Sequence, residues 1–141
     1  MPRKYRKIED KSDYDISEMA ATLLQKLVRL EACCELGYCR CVTCGANKHW
    51  NEMQGGHYIK RQHKRSKLMK KNIHPQCIRC NHFLDGNEGK YTLYMLSKYG
   101  EEFVNELIEK KKDPIKWDKE ELIKLVKDLR IEVKELERQI C

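Results

Sequence analysis

Apolar side chains between positions 13 and 36 recur every three or four residues. Ile16, Met19, Leu23, Leu27, Leu30 and Cys34 fall near one face of a helix. Ser12 or Asp13 suits its start, and Gly37 its end. From Tyr38 to Gln76 the helical period lapses, and turn residues with short extended pieces take over, centred on Gly45 and the pair Gly55-Gly56. Helical spacing resumes after Cys77 and runs to about Lys112, punctuated by Gly86, Gly89 and Gly100. Pro114 then breaks it. Asp118, with Glu121 three residues later, forms a capping-box pattern that opens a last helix. Along that helix Leu122, Val126, Leu129, Val133, Leu136 and Ile140 alternate at spacings of four and three, a heptad seam. β-branched residues at a and leucines at d favour a two-stranded pairing, so the seam predicts a homodimer. In a parallel pair Glu132 would face Glu137 of the second copy, which favours antiparallel packing or folding back onto the chain's own core. The expected organisation is a flexible basic arm over 1–11, a domain over 12–117 and a C-terminal helix over 118–141.

Charge and composition narrow the class. Charged residues make up 36% of the 141 and mean hydropathy is −0.80, so the core is modest. No apolar run approaches the roughly 18 residues of a membrane span. The opening "MPRKYRKIEDK" has no hydrophobic stretch after it, as a signal peptide would. A soluble, cytoplasmic protein is expected, and in a reducing compartment eight cysteines suggest metal binding over disulfides. Net charge is +7, but Met53 to Leu84 contains no Asp or Glu and carries eight Lys and Arg, which leaves the rest nearly neutral. One basic surface of this kind points to a polyanion such as nucleic acid.

The cysteines supply the frame. "CVTCG" places Cys41 and Cys44 two residues apart, and "CIRC" repeats the spacing at Cys77 and Cys80. Two such pairs complete a tetrahedral zinc site, although the 32 residues between them make an unusually long loop. Cys39 is an alternative to Cys41 without the paired spacing, Cys33 and Cys34 suit the core of the first helix, and terminal Cys141 is expected free. Four thiolates leave zinc no open position, so the ion is a staple and any chemistry lies in the loop or just after it. There stand His57, in "GGHYIKR", Asn72, in "NIHPQC", and Asn81, directly after Cys80. On a helix starting near residue 78, Asn81 and Asp85 share a face and could hold a hard cation such as Mg2+.

A histidine on a strand, a hairpin and oxygen ligands on a helix, with zinc pinning the parts, resemble the HNH or ββα-metal nuclease unit. The cysteine frame resembles that of phage endonuclease VII. A longer resemblance, from about Leu27 to Leu136, is to the NinG/Rap family of lambdoid phage recombination endonucleases. It is carried by "VRLE", "CVTCG", "GHY", "HPQCIRCN", Gly86-Asn87, "KYG" and "PIKWDKEEL". The fold this implies is α+β and mainly helical, with a small zinc-stapled HNH-like hairpin-helix core. The implied activity is metal-dependent endonucleolytic cleavage of branched DNA such as Holliday junctions and D-loops. One position departs: HNH nucleases commonly carry an Asp before the histidine, and here it is Gly56.

In that reading His57 is the general base. Asn72 orients it or fixes the loop. A catalytic Mg2+ or Mn2+ is held by Asn81 with another oxygen, Asp85 or the histidine itself. Lys60, Arg61, Lys64, Arg65, Lys67, Lys70 and Lys71 contact DNA phosphates, which positions a duplex without reading sequence. Tyr58 packs behind the histidine or touches the DNA backbone, and His74 is structural. The alternative is a non-catalytic zinc module that binds DNA as a recombination accessory, with no use for His57 or Asn81.

Overall fold

Helix α1 runs from Asp13 to Ala32 in the computed structural model, which describes residues 6–140. The first five residues of the basic arm, and Cys141, lie outside that range. Ser12 caps α1, its hydroxyl accepting from the Asp15 amide at 3.1 Å. The helix stops short of the expected residue 36 because Cys33 is already extended and the Cys34 amide turns to Tyr38 O at 2.9 Å.

Two antiparallel hairpins follow. Strand β1 (Tyr38–Arg40) pairs with β2 (Asn47–His49), and β3 (Met53–His57) with β4 (Ile73–Cys77). The β3–β4 register sets Gln54 opposite Gln76, Gly56 opposite His74 and His57 opposite Ile73. The connection between them contains a single-turn helix, α2 (Lys64–Lys67).

The helical stretch expected after Cys77, punctuated by glycines, is divided into three, with breaks at Gly86 and Gly100 but none at Gly89. A π-helical turn covers Arg79–Phe83, then α3 spans Glu88–Tyr99 and α4 Glu101–Glu109. The first break is the left-handed run Asp85, Gly86 and Asn87, and the second is Gly100 at φ +88. Asp85 therefore leaves the face it was expected to share with Asn81. Asp118 caps α5 (Lys119–Gln139), accepting from the Glu120 and Glu121 amides.

α1 is the central element, with α5 against one side and the β3–β4 hairpin against the other. Ile16, Ala20, Leu24 and Leu27 meet Leu122, Val126, Leu129 and Val133 in one cluster, which Ile73 joins from β4. Side chains of this size contribute about 1.5–3 kcal/mol each on full burial. The heptad seam is thus closed within the chain, and Lys26 pairs with Glu137 across it. The face on which the dimer expectation rested is covered, and α5 belongs to the core of the domain it was expected to flank. A second cluster joins Tyr58 and Ile59 to Tyr91, Met95, Val104 and Leu107. The architecture is mixed α+β, and among the described residues no helix is long and apolar enough to cross a membrane.

Candidate functional site

Cys41 and Cys44 lie in the loop between β1 and β2, where Gly45 at φ +79 closes the turn and its amide donates to Cys41 O. Cys77 ends β4, and Cys80 sits in the π-helical turn. The four sulfurs lie within 4.8 Å of one another, with Cys44 and Cys77 Sγ 3.6 Å apart. Tetrahedral zinc at about 2.3 Å from each sulfur requires S–S edges of about 3.8 Å, so the cluster fits. Burial opposes ionisation of Cys41, but the Thr43 hydroxyl at 3.2 Å and nearby amides outweigh it and draw the thiol down to about 6. Asn87 Nδ2 donates to Cys80 Sγ. Cys39 is buried beside the cluster but outside it, its thiol pushed up to about 11 by burial.

The glycine pair reflects what crowds β3 from both sides. A Cβ on Gly55 would lie 2.6 Å from the Cα of Gln25, because α1 packs directly on the strand. A Cβ on Gly56 would lie 1.8 Å from Gln76 Oε1. Gln76 cannot easily yield: it is fully buried, and its Nε2 donates to Gly86 O and Thr43 Oγ1. The space into which a side chain at position 56 would project is therefore filled by a glutamine from the facing strand. Gly56→Ala is expected to lower stability by about 1–3 kcal/mol, the usual cost of overpacking a filled core, read as a shifted urea midpoint. An unchanged midpoint would show that Gln76 moves freely.

His57 closes the strand, 6% exposed. Its Nε2 lies 2.9 Å from Lys67 O. A carbonyl can only accept, so Nε2 carries the hydrogen and Nδ1 keeps a lone pair. Nδ1 has no hydrogen-bond partner among the described residues. Burial pulls the imidazole down to about 4, with Arg61 and Lys67 adding to the effect. The ring is neutral near pH 7.

Asn72 holds the loop that supplies this carbonyl. Its Oδ1 accepts from Ile59 N at 2.8 Å, and its Nδ2 donates to Ile59 O at 3.0 Å and Ser66 O at 3.2 Å. With the side chain wholly buried, its action on His57 runs through the loop. Asn81 faces the hairpin, donating to Gln54 Oε1 at 2.7 Å. Asp85 is brought to Lys60 instead, 3.1 Å away. The two therefore do not share the helix face expected of them.

The basic loop is less free than its composition suggests. Lys67 is interior: its Nζ meets Ser17 Oγ at 3.0 Å and Glu18 Oε1 at 2.5 Å, and its side chain is 4% exposed. It cannot contact DNA as expected of it. Arg61 shares Glu18, Lys70 pairs with Glu31, and Arg65 lies 3.8 Å from Glu106. Among the described residues, Lys64 and Lys71 alone of the seven have no carboxylate partner; they lie over Trp117 and over Tyr99 and Phe103.

Sequence reasoning missed Glu18. Its hydrogen bond from Lys67 holds its carboxyl below the usual range. It also missed Tyr91, whose hydroxyl donates to Gly56 O at 2.7 Å. A signal for Glu18 existed: Tyr14, Glu18, Ala21 and Gln25 form a second helical stripe beside the apolar one. Tyr58 packs inward as one alternative had it, its hydroxyl 2.7 Å from Thr92 Oγ1.

His74 is buried, bonded to Tyr91 and Tyr99 hydroxyls, and burial pulls it down to about 4 as well. Both histidines bind protons more weakly folded than unfolded. Their contribution is present above about pH 6.5 and is lost as pH falls towards 4, on the order of 3 kcal/mol each. Unfolding midpoints are expected to fall over that window, and His74→Gln to flatten the decline. An equal decline in parent and variant would remove His74 from this account, with His57 and loss of zinc as the remaining causes.

The family model described as bacteriophage lambda NinG protein matches residues 2–139. No curated protein and no solved structure matches the chain significantly. The match takes in both cysteine pairs, the β3–β4 hairpin and the helix folded back on α1, nearly the whole of the 141 residues. The chain belongs to the NinG family.

Proposed function

We propose that this protein is a structure-specific DNA endonuclease of phage recombination, cutting branched intermediates such as Holliday junctions and D-loops. The observation that carries the reading is the tautomer of His57. Its Nε2–H is tied to Lys67 O, and its Nδ1 lone pair is left to accept a proton. In this reading the water so activated attacks phosphorus, and the 3′ oxygen departs. Asn72 is a positioning residue, fixing the loop that holds the ring. Zinc on the four cysteines locks β4 and the π-helical turn to the β1–β2 loop.

A divalent ion, Mg2+ or Mn2+, would neutralise charge on the phosphate and the leaving oxygen when bound. Asn81 would supply an oxygen to it, since its Nδ2 is bonded to Gln54 and its Oδ1 has no partner among the described residues. Asp85 is turned to Lys60. Lys64 and Lys71 are the loop cations best placed for DNA phosphates.

One observation favours the rival, a zinc module that binds DNA without cutting it. Gln76 fills the place beside Gly56 from which an acidic ligand would reach a metal. Incubating the protein with a synthetic four-way junction and a matched linear duplex, with and without Mg2+, separates the two. The nuclease reading expects Mg2+-dependent cuts in the junction only. Tight binding with no cut in any divalent ion supports the module.

A further inference from the structure

A cavity of about 530 Å3 opens between α1, the β1–β2 hairpin that carries Cys41 and Cys44, strand β4 and the end of α3. It lies within the roughly 300–1,000 Å3 range of small-ligand sites. Tyr94 and Tyr99 supply ring walls, with Val42 and Pro75 as further apolar surface. Arg40, Lys71 and Lys98 stand exposed at its border without a carboxylate partner among the described residues. The one carboxylate in the lining, Glu31, is taken by Lys70 at 2.5 Å. Lys98 Nζ lies 5.8 Å from the centroids of both tyrosine rings, and Lys71 Nζ 5.7 Å from that of Tyr99.

Flat rings and unpaired cations at one site match a single nucleotide. The base gains contact by stacking on a tyrosine, and the phosphate meets the ammonium groups. A paired base cannot use such a site, because its faces are already stacked on its neighbours in the duplex. We infer that this cavity receives one unpaired nucleotide of single-stranded DNA, held between the tyrosine walls and Arg40, Lys71 and Lys98. Ile73, the ladder partner of His57, lines the same cavity. An unpaired base at a branch point could therefore be held on the strand adjacent to the one that carries the histidine. The inference rests on DNA being the partner, as proposed above, but not on cleavage.

The test is fluorescence anisotropy of a labelled short oligothymidylate and of a fully paired duplex of equal length, with zinc-loaded full-length protein and no added magnesium. Lys98→Glu is expected to weaken single-strand binding by about tenfold or more, since base stacking and its associated cation contacts have that magnitude. Duplex affinity is expected to stay within about twofold, because a duplex is held by other phosphate contacts. Tyr94→Ala is expected to show the same pattern; if it melts early, Lys98→Glu decides, since its side chain is exposed. Thymidine monophosphate is the competitor that separates sources. Displacement of the oligonucleotide only at far higher concentration supports a polymer site, and displacement at comparable concentration assigns the cavity to a free nucleotide and overturns the inference. Equal weakening on both DNAs, or none on either, also overturns it. If the parent cuts no junction yet shows this selective loss, the nuclease reading fails alone and the cavity assignment stands.

Discussion

Replacing Cys77 by serine is expected to release zinc and unfold the middle of the chain, leaving no folded protein with slightly weaker metal binding. Structural zinc in small modules contributes on the order of 10 kcal/mol. Whole domains of this kind are stable by about 5–15 kcal/mol, so the loss is comparable with the total. The geometry explains why no local adjustment suffices. Cys77 ends β4 opposite Met53, and the cluster around it contains Cys39, Cys41, Met53 and Cys80 with little other apolar mass. Without the ion, four sulfurs within 4.8 Å of one another have no common partner. Zinc content by atomic absorption and circular dichroism of the same sample measure the effect. Cys39→Ser is the control: Cys39 is equally buried but is not one of the four grouped sulfurs, so that variant is expected to keep one zinc per chain. A cooperative, zinc-free Cys77→Ser protein would defeat the staple, and loss of zinc in Cys39→Ser would redraw the ligand set.

Local pattern and spacing reached some of this structure and not the rest. The two cysteine pairs were legible because two-residue spacing fixes which sulfurs can reach one ion, whatever lies between. Ser12 and Asp118 were legible as caps because capping is settled within four residues. The seam of α5 was legible as a stripe, but a stripe does not state its partner. The same apolar face serves a second copy or α1, and here α1 takes it. The helix expected across Asn81 and Asp85 failed because Asp85 and Asn87 occupy left-handed backbone that composition does not announce. Lys67 was misplaced for a related reason. In a run of basic residues nothing distinguishes the one that turns inward, and that choice belongs to Glu18 and Ser17, about fifty positions earlier. The glycine pair preceding His57 was visible, but its cause was not: Gln25 and Gln76 approach from different parts of the chain.

His57→Ala is expected to remove junction cleavage while leaving junction binding nearly intact. Loss of a positioned general base costs on the order of 100- to 10,000-fold in rate. Binding should persist because His57 is buried and neutral and contributes no charge to the surface proposed to meet DNA. The environment of the ring also predicts a signature that an ordinary surface histidine would not give. Burial holds it down to about 4, so the fraction in the base form is nearly complete from neutral pH down to mild acid. The acid limb of kcat/KM is therefore expected near pH 4 and not near the ordinary 6.5, as far down as the fold survives. A base of low pKa is also a weak one, so the protein's rate should depend strongly on how well the ring is aimed. Asn72→Ala, which loosens the loop carrying Lys67 O, should lower kcat with little change in junction affinity, whereas Lys64→Ala and Lys71→Ala together should weaken affinity and reduce its salt slope by about one unit per lost phosphate contact. The measurements are single-turnover cleavage of a labelled four-way junction and gel-shift titration of the same DNA at two salt concentrations. Cleavage by His57→Ala at the parent's rate would show that Nδ1 is not the proton acceptor, and an acid limb near 6.5 would place the essential base on a histidine outside this pocket.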